Sequence, residues 1–483
     1  MNTISLMIGG RQVAAEQGRT FERGNPLDGQ VATVASAASP ADARAAVQAA
    51  HDAFAAWSQT GPGLRRTLLN RAADALEARL ADFVAAMMAE TGAAALWAEF
   101  NVHLAAGMLR EAAALTTQIG GEVIPSDVPG NLAMGQRTPA GVVVGMAPWN
   151  APVILGVRAV ATPLACGNTV VLKGSEMCPA THGLIIASLE EAGLPAGVVN
   201  FITNAPQDAA AVVEALVAHP ATRRVNFTGS TKVGRIIAGL CAQYLKPAVL
   251  ELGGKAPLLV LDDADLDCAV NAAAFGAFAH SGQICMSTER IIVDERIADA
   301  FVQRLTAKTQ GLPQGDPRQG PVVLGSVVDM STVQRCNAMI DDALDKGARL
   351  LCGGKADNTL MSATLLDHVT PAMRIYAEET FGPVKAIVRV QGEDAAVACA
   401  NDNAYGLSAA VIGADVARAM RVASRVQSGI CHINGPTVHD EPQMPFGGVK
   451  DSGYGRFGGK AGIEAFTDLR WITIQTTPRA YPF

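Results

Sequence analysis

Aromatic and charged residues are both scarce in this chain. Phe, Trp and Tyr make up 5% of its 483 residues, charged residues 17% and hydrophobic residues 49%. This balance excludes a disordered protein, and the length predicts about three domains with sizeable cores. The formal net charge of −7 is ordinary for an enzyme and argues against a surface that binds nucleic acid.

Features of secreted, metal-binding and membrane proteins are also missing. The nine cysteines form an odd set without a C-x-x-C pair, and the eight histidines have no H-E-x-x-H frame. Neither a disulfide framework nor a metal site is therefore predicted. Because the N-terminus lacks a signal-peptide pattern and no apolar run approaches about eighteen residues, we expect a cytoplasmic protein.

The order of helical and extended patterns predicts an α/β protein with a small β arm. Apolar residues recur at helical spacing from Ala41 to about Thr117, and Ser39 and Pro40 suit the start of a helix. Gly and Pro interleaved with extended stretches at 120–137 predict a hairpin arm outside the main core. Segment 471–476 alternates like an edge strand, and we expect it to pair with this arm across subunits.

After Gly141, short apolar runs alternate with helical segments. Strand patterns at 142–145, 169–173 and 198–202 are separated by helical patterns. This alternation predicts a parallel sheet that is covered by helices on both faces. The pattern restarts at 257–262 and continues to the region of Val449, which predicts a second α/β domain.

Cys285 lies in small, polar surroundings, with Gly282, Gln283 and Ser287 close by in the sequence. A cysteine that is buried for packing usually has Leu, Ile and Val as neighbours. A nucleophilic thiol needs access, some thiolate character and donors for the oxyanion that it creates. By itself, the residue is either such a nucleophile or an inert core cysteine.

Three further segments have two interpretations each. The turn at 227–231 joins a strand pattern to a helix pattern, which suits either a pyrophosphate at a helix N-terminus or an ordinary cap at Ser230. Asn150 is either an oxyanion donor or a turn residue after Trp149. Glu251 is either a general base or a solvated carboxylate at the end of a strand.

Together these segments resemble the aldehyde dehydrogenase superfamily from the N-terminal region to the last residues. The motifs that carry the resemblance occur in the family's order: PWN at 148–150, GNTVVLK at 167–173, SE at 175–176, FTGST at 227–231, ELGGK at 251–255, GQIC at 282–285, ETFGP at 379–383, NDNAYGL at 401–407 and PFGGVK at 445–450. The resemblance implies an aldehyde dehydrogenase-like α/β fold that assembles as a homodimer or homotetramer. Its parts are a Rossmann-type NAD-binding domain at 1–118 and 140–251, an α/β catalytic domain at 252–449, and a β oligomerisation arm at 119–139 and 466–483.

The resemblance also implies roles in an aldehyde oxidation. Cys285 is the expected nucleophile, and the Asn150 side chain and the Cys285 amide are expected to hold the oxyanion of the thiohemiacetal. Glu251 is expected to deprotonate the water that hydrolyses the thioester. Some relatives carry a second acidic residue where this chain has Phe457, which leaves Glu251 as the evident base. Relatives that transfer the acyl group to coenzyme A often lack this carboxylate, so hydrolysis is expected.

NAD is the cofactor that the resemblance implies. Lys173 and Glu176 match positions that contact the adenosine ribose, and a carboxylate there favours the 2′-hydroxyl of NAD and repels the 2′-phosphate of NADP. The chain has K-G-S-E at 173–176, where the family usually has K-P-S-E. The other implied cofactor contacts are Trp149, Ser175, Gly229, Ser230, Leu252, Glu379 and Phe381.

Within the superfamily, the chain is most similar to the bacterial vanillin and salicylaldehyde dehydrogenases, in segments 93–97, 432–439 and 452–457. The expected substrate is an aromatic aldehyde of the vanillin type, with salicylaldehyde and benzaldehyde as alternatives. Arg158 lies in an apolar run and meets either a ring hydroxyl or a core carboxylate. Trp97 either stacks on the substrate or packs in the core. Phe446 matches the family position that flanks the aldehyde.

Two other classes of protein are remote alternatives. A cysteine hydrolase also needs a thiol and a base, but it normally pairs the thiol with His and has no use for Lys173, Glu176 and Glu379. A structural protein recruited from the fold would tolerate the loss of Cys285 or Glu251, and both are present. Production of NADH from NAD and benzaldehyde separates the three classes.

Overall fold

The computed structural model describes residues 3–483, which form twenty strands and fifteen α-helices. The strands are β1 (Leu6–Ile8), β2 (Arg11–Val13), β3 (Thr20–Gly24), β4 (Val31–Ser36), β5 (Glu122–Ile124), β6 (Asn131–Pro139), β7 (Val142–Met146), β8 (Thr169–Lys173), β9 (Val199–Ile202), β10 (Thr222–Thr228), β11 (Ala248–Glu251), β12 (Ala256–Val260), β13 (Thr288–Asp294), β14 (Arg349–Cys352), β15 (Thr364–Asp367), β16 (Val384–Val390), β17 (Ser408–Ile412), β18 (Ile430–Ile433), β19 (Gly453–Tyr454) and β20 (Thr467–Gln475). The helices are α1 (Pro40–Ser58), α2 (Pro62–Ala78), α3 (Leu80–Thr91), α4 (Ala95–Leu115), α5 (Pro152–Ala165), α6 (Pro179–Glu191), α7 (Ala209–Ala218), α8 (Thr231–Gln243), α9 (Leu266–Phe278), α10 (Glu295–Gln310), α11 (Met330–Asp345), α12 (Arg374–Ala377), α13 (Gly392–Asn401), α14 (Val416–Ala423) and α15 (Gly459–Ala465).

The first large sheet has eight strands in the order β19-β11-β10-β7-β8-β9-β1-β2. Its five inner strands run parallel, and β1, β2 and β19 add antiparallel edges. Every residue of β7 and β8 is buried, as expected for parallel strands that are covered on both faces. The strand order reverses between β7 and β10, and ligands of open α/β sheets bind in the crevice at such a point.

Helices pack on both faces of this sheet because successive side chains of a strand point to opposite sides. Val143 and Val170 join a core with α2, α4, α5 and α6, whereas Val142, Val144 and Val171 join a core with α1, α7 and α8. The predicted start of α1 is confirmed. Ser39 caps the helix, its side chain accepts hydrogen bonds from the amides of Ala41 and Asp42, and Pro40 occupies the first turn.

The second large sheet has seven strands in the order β14-β15-β16-β13-β12-β17-β18. All of its pairings are parallel except that of β14 with β15. The two sheets match the two α/β patterns in the sequence, although β1 to β4 precede every strand that the sequence analysis predicts. The division of the chain into domains at 118, 140, 251, 449 and 466 stays a prediction.

The predicted arm is a three-stranded antiparallel sheet in the order β20-β6-β5. Its register places Trp471 opposite Gly135, and the pairing of β20 with β6 lies within one chain, where we expected it across subunits. Val123 and Trp471 are 75% and 77% exposed, so the arm presents apolar side chains at the surface. Within residues 3–483, no helix combines the length and the apolar character needed to cross a membrane.

Candidate active site

A tight turn holds Cys285 above the second sheet. His280, Ser281 and Gly282 have φ angles of 50°, 54° and 70°, and a side chain on Gly282 would place its Cβ 2.3 Å from the Gly382 oxygen. The Ser281 hydroxyl donates to the Gly325 carbonyl at 3.1 Å, which anchors the turn. Cys285 itself is half-buried.

Two glycines bring the predicted catalytic residues together. A Cβ on Gly254 would lie 2.4 Å from the Cys285 oxygen, and a Cβ on Gly253 would lie 2.6 Å from a Glu379 carboxylate oxygen. The Gly254 amide also donates to Glu379 Oε1 at 2.8 Å. The segment that begins with Glu251 therefore passes between the nucleophile turn and Glu379, and only glycine fits at these two approaches.

Glu251 ends β11 as a buried carboxylate without a partner. It is 1% exposed, and within residues 3–483 neither of its carboxylate oxygens accepts a hydrogen bond. Burial raises its pKa to about 8, although the nearby charges of Arg158 and Arg456 oppose that change. An unpaired buried carboxylate with such a pKa is typical of a general base. The solvated strand-end alternative for Glu251 is therefore wrong.

The surroundings of Cys285 disfavour its thiolate form. Burial and the nearby carboxylates of Glu251 and Glu379 together raise its pKa to about 12, although the charge of Arg158 opposes that change. A base close to the thiol has to remove its proton when it attacks.

Asn150 reaches the nucleophile turn from the first sheet. It follows β7, and its side-chain amide donates to the Gln283 carbonyl at 3.0 Å. One hydrogen of that amide remains for another acceptor, and within residues 3–483 the Cys285 amide donates no backbone hydrogen bond. The site therefore contains two donors that suit an oxyanion on a carbon bound to the Cys285 sulfur.

Lys173 and Glu176 lie together at the carboxyl end of β8. The Lys173 ammonium is 3.3 Å from the Glu176 carboxylate, and the Ser175 amide donates to the His182 ring at 3.0 Å. A Cβ on Gly174 would lie 2.8 Å from the Phe201 ring. This packing explains why glycine replaces the usual proline of the family motif.

The turn after β10 leads directly into α8. Ser230 caps this helix, and its side chain accepts from the Val233 amide at 3.4 Å. A Cβ on Gly229 would lie 2.4 Å from the Phe227 ring. Leu252 packs against α8 at Gly234. Ser230 is thus a helix cap, and the same helix N-terminus offers amides and a favourable dipole to an anion.

Glu379 and Phe381 occupy the opposite side of the crevice. Burial raises the pKa of Glu379 to about 7. Phe381 has a φ of 45° and meets Trp149 edge to face at 5.7 Å. A helix N-terminus that can receive phosphates and carboxylates that can accept hydrogen bonds from ribose hydroxyls are the groups that a dinucleotide site needs. Their contacts with a cofactor stay predictions.

The three residues predicted to bind substrate are linked to Cys285 by contacts: Phe446 and Trp97 belong to the same apolar cluster as Cys285, and Arg158 contacts Phe446. Arg158 is buried and forms an ion pair with Asp440, and its guanidinium lies 4.1 Å from the centre of the Phe446 ring. The core-carboxylate alternative for Arg158 is thus the one that the structure shows. Trp97 stacks on His280 at 5.0 Å and donates to the Asn150 carbonyl at 3.0 Å. Contact of these residues with substrate stays a prediction.

An apolar cluster around Cys285 was missed by the sequence analysis. Its buried members are Ile284, Met286, Leu407, Val438 and Phe446, with Trp97 packed against them. Phe446 and Trp97 were predicted as substrate contacts, and Ile284 and Met286 flank the nucleophile in sequence, which is a usable signal. Nothing local pointed to Leu407 or Val438. Within residues 3–483, no group of three or more His, Cys, Asp or Glu side chains is arranged to hold a metal ion.

The chain belongs to the aldehyde dehydrogenase family, whose model matches residues 13–472. It is 61% identical over 482 residues to a vanillin dehydrogenase from Pseudomonas fluorescens, with 100% of both chains covered. A crystal structure of a salicylaldehyde dehydrogenase from Pseudomonas putida G7, complexed with salicylaldehyde, superposes with a TM-score of 0.98 at 50% identity over 100% of both chains. A betaine aldehyde dehydrogenase from Staphylococcus aureus in complex with NAD+ has a TM-score of 0.94 at 31% identity, with 99% of this chain and 95% of that chain covered. The predicted family and fold class are confirmed.

Proposed function

We propose that this protein oxidises an aromatic aldehyde, of the vanillin type, to the carboxylic acid with NAD as the hydride acceptor. The single observation that carries the proposal is the buried carboxylate of Glu251, which has no hydrogen-bond partner in residues 3–483 and lies in the same site as Cys285. A carboxylate left without partners in a buried site is available to take protons from the thiol and from water.

The first step is attack of Cys285 on the carbonyl carbon. The Cys285 sulfur forms a bond to that carbon while its proton passes to the Glu251 carboxylate, whose raised pKa makes it a stronger base than an exposed glutamate. The carbonyl oxygen becomes an oxyanion, and the Asn150 side chain and the Cys285 amide donate to it. The product of this step is a thiohemiacetal.

Oxidation then converts the thiohemiacetal into a thioester. Bound NAD supplies the acceptor for the hydride that leaves the carbon atom. Lys173 and Glu176 bind the adenosine ribose, the start of α8 binds the pyrophosphate, and Glu379 binds the nicotinamide ribose. The negative charge of Glu176 makes NAD the preferred cofactor.

Hydrolysis of the thioester completes the reaction. Glu251 first releases to solvent the proton that it took from the thiol. It then takes a proton from water, the resulting hydroxide adds to the acyl carbon, and the carbon–sulfur bond breaks to release the acid, after which Glu251 returns its proton to the Cys285 thiolate. Phe457 occupies the position at which some relatives have a second acidic residue, and it is buried. Glu251 therefore serves both steps as the base.

An aromatic substrate suits the apolar walls around Cys285. Phe446 and Trp97 are rigid aromatic side chains that favour a flat ring over a flexible chain. The similarity to a vanillin dehydrogenase at 61% identity and to a salicylaldehyde dehydrogenase at 50% identity supports this class of substrate. Arg158 contributes to this wall through its contact with Phe446 while it stays paired with Asp440, and salicylaldehyde and benzaldehyde are the alternative substrates.

The test is NADH formation with a panel of aldehydes. We expect kcat/KM for vanillin, salicylaldehyde and benzaldehyde to exceed the values for acetaldehyde and hexanal. Cys285→Ala is expected to abolish NADH production while NAD binding persists. Equal use of the aliphatic aldehydes refutes the aromatic pocket, and near-normal turnover by Cys285→Ala refutes the mechanism.

The working form of the enzyme is a cytoplasmic homodimer or homotetramer. Its nine cysteines are all free in the structure, which suits a reducing compartment. The exposed apolar side chains of the arm, Val123, Leu469 and Trp471 among them, need a partner surface. Light scattering on the protein and on Trp471→Asp tests this, and a monomeric wild-type protein contradicts it.

A further inference from the structure

Asn150 is joined to the nucleophile turn by a closed ring of contacts. The Trp97 indole donates to the Asn150 carbonyl at 3.0 Å, and the indole stacks on His280 at 5.0 Å with an angle of 11° between the rings. The Gln283 amide donates to the His280 carbonyl at 3.1 Å. The Asn150 side chain donates to the Gln283 carbonyl at 3.0 Å, which closes the ring.

His280 contributes a flat ring to this arrangement, and not a charge. It is 5% exposed, and within residues 3–483 its Nε2 atom has no hydrogen-bond partner. Burial lowers its pKa to about 3, because a charged imidazolium is disfavoured where water is excluded. Its backbone has a φ of 50°, a conformation that a side chain adopts only where its surroundings enforce it.

We propose that His280 and Trp97 are a positioning pair that sets the place of the Asn150 amide relative to Cys285. The indole restrains the backbone of Asn150, the turn restrains its side chain, and the stack between the two rings joins these restraints. The proposal rests on the proposed function, because it matters only if Asn150 holds an oxyanion formed at Cys285.

Loss of the stack is expected to slow the formation of the thioester. An oxyanion donor acts only at hydrogen-bond distance from the position that the oxyanion will occupy, and a displacement of about 1 Å costs about a hundredfold in rate. NAD binding and the chemistry of Glu251 depend on other contacts. The defect should therefore appear in kcat for acylation and leave the KM for NAD unchanged.

The experiment compares His280→Phe with His280→Leu in single-turnover NADH formation. Phe keeps a planar ring and lacks both nitrogens, whereas Leu has a similar volume and no planar face. We expect Phe to retain the wild-type rate within about threefold and Leu to lose about tenfold or more. His280→Asn is the control for the backbone, because Asn tolerates positive φ but has no ring, and it should be as slow as Leu.

Trp97→Phe tests the other half of the pair and keeps the experiment decisive if a His280 variant does not fold. It retains a ring for the stack and removes the donor to Asn150, so acylation should slow by about tenfold while the thermal midpoint and the KM for NAD stay near those of the wild type.

Wild-type rates of acylation in both His280→Leu and Trp97→Phe overturn the proposal. A loss in His280→Phe as large as that in Leu also overturns it, because the nitrogens would then be needed. A wild-type enzyme that oxidises no aldehyde refutes the proposed function instead.

Discussion

Glu251 and Glu289 are equally buried, yet their surroundings give them opposite properties. Glu289 forms ion pairs with the Lys255 ammonium at 2.7 Å and the Lys385 ammonium at 2.9 Å, and it accepts a hydrogen bond from the Thr380 hydroxyl at 2.7 Å. Burial acts to raise its pKa, but the charges of the two lysines and these hydrogen bonds bring the pKa down to about 2. Glu251 has no such partners, and its pKa is raised to about 8.

Glu90 shows which kind of partner makes the difference. It is fully buried and accepts four hydrogen bonds from neutral donors, which belong to Thr33, Ala180 and Thr181. Its pKa is nevertheless raised by burial. Hydrogen bonds alone therefore leave a buried carboxylate a stronger base than usual, and cations are needed to reverse the effect of burial. Arg158 and Arg456 lie near Glu251, but neither forms an ion pair with it, and burial still raises its pKa.

Glu251→Gln is expected to have the largest effect. Both the first turnover of NADH and the steady state should slow, because Glu251 takes the proton of the thiol and later that of water, and the loss of such a base costs about 10²–10⁴ in rate. Stopped-flow absorbance and mass spectrometry of the acyl-enzyme measure the two phases. A steady-state loss smaller than about tenfold contradicts the role of Glu251 as the base.

Glu289→Gln makes the same substitution at the carboxylate that pairs with Lys255 and Lys385, and it should lower the stability of the fold. It leaves two buried ammonium groups without their carboxylate, which costs about 3–5 kcal/mol in the free energy of unfolding. Urea unfolding at pH 7 measures this, with Glu251→Gln as the matched control, expected within about 1 kcal/mol of wild type. Similar losses in the two variants would contradict the comparison.

Because the folded pKa of Glu289 is depressed, the stabilisation that its ion pairs provide is present above the unfolded pKa and is lost as the pH falls from 4.5 towards about 2.

The pH dependence of kcat should report the raised pKa of Glu251. A base works only when deprotonated, so kcat should rise about tenfold per pH unit below a pKa of about 8 and level off above it. Glu251→Gln should lack this rise. A plateau that already begins at pH 6 would show that the carboxylate has an ordinary pKa.

Glu176→Gln should have the smallest effect, because this carboxylate is partly exposed. Burial acts to raise its pKa, but the charge of Lys173 brings the pKa below the ordinary value, so the group is anionic at neutral pH. Its neutralisation should reduce the ratio of kcat/KM for NAD over NADP by about tenfold. Glu190→Gln, which lies on α6, is the control, and a wild-type preference for NADP would contradict the assignment.

Much of the fold follows from local patterns in the sequence. The start of α1 at Ser39 and Pro40, the buried strand β8 and the hairpin of the arm all appeared where the patterns predicted them. The family motifs predicted Cys285, Glu251 and Asn150 as catalytic residues. Glu251 and Asn150 lie at the carboxyl ends of β11 and β7, whereas Cys285 lies in the turn before β13. The short strands β1 to β4 were missed because each carries only a weak alternation.

What the sequence by itself determined is the fold class and the residue types at the ends of the strands, because hydrophobic period and turn chemistry are local properties. Only the tertiary structure decided which partners those residues meet. Arg158 pairs with Asp440 and His280 stacks on Trp97 across long stretches of chain. Likewise Glu289 meets two lysines while Glu251 meets none. Burial and charge pairing depend on these distant neighbours, and they decide which carboxylate is a base and which is a structural anion.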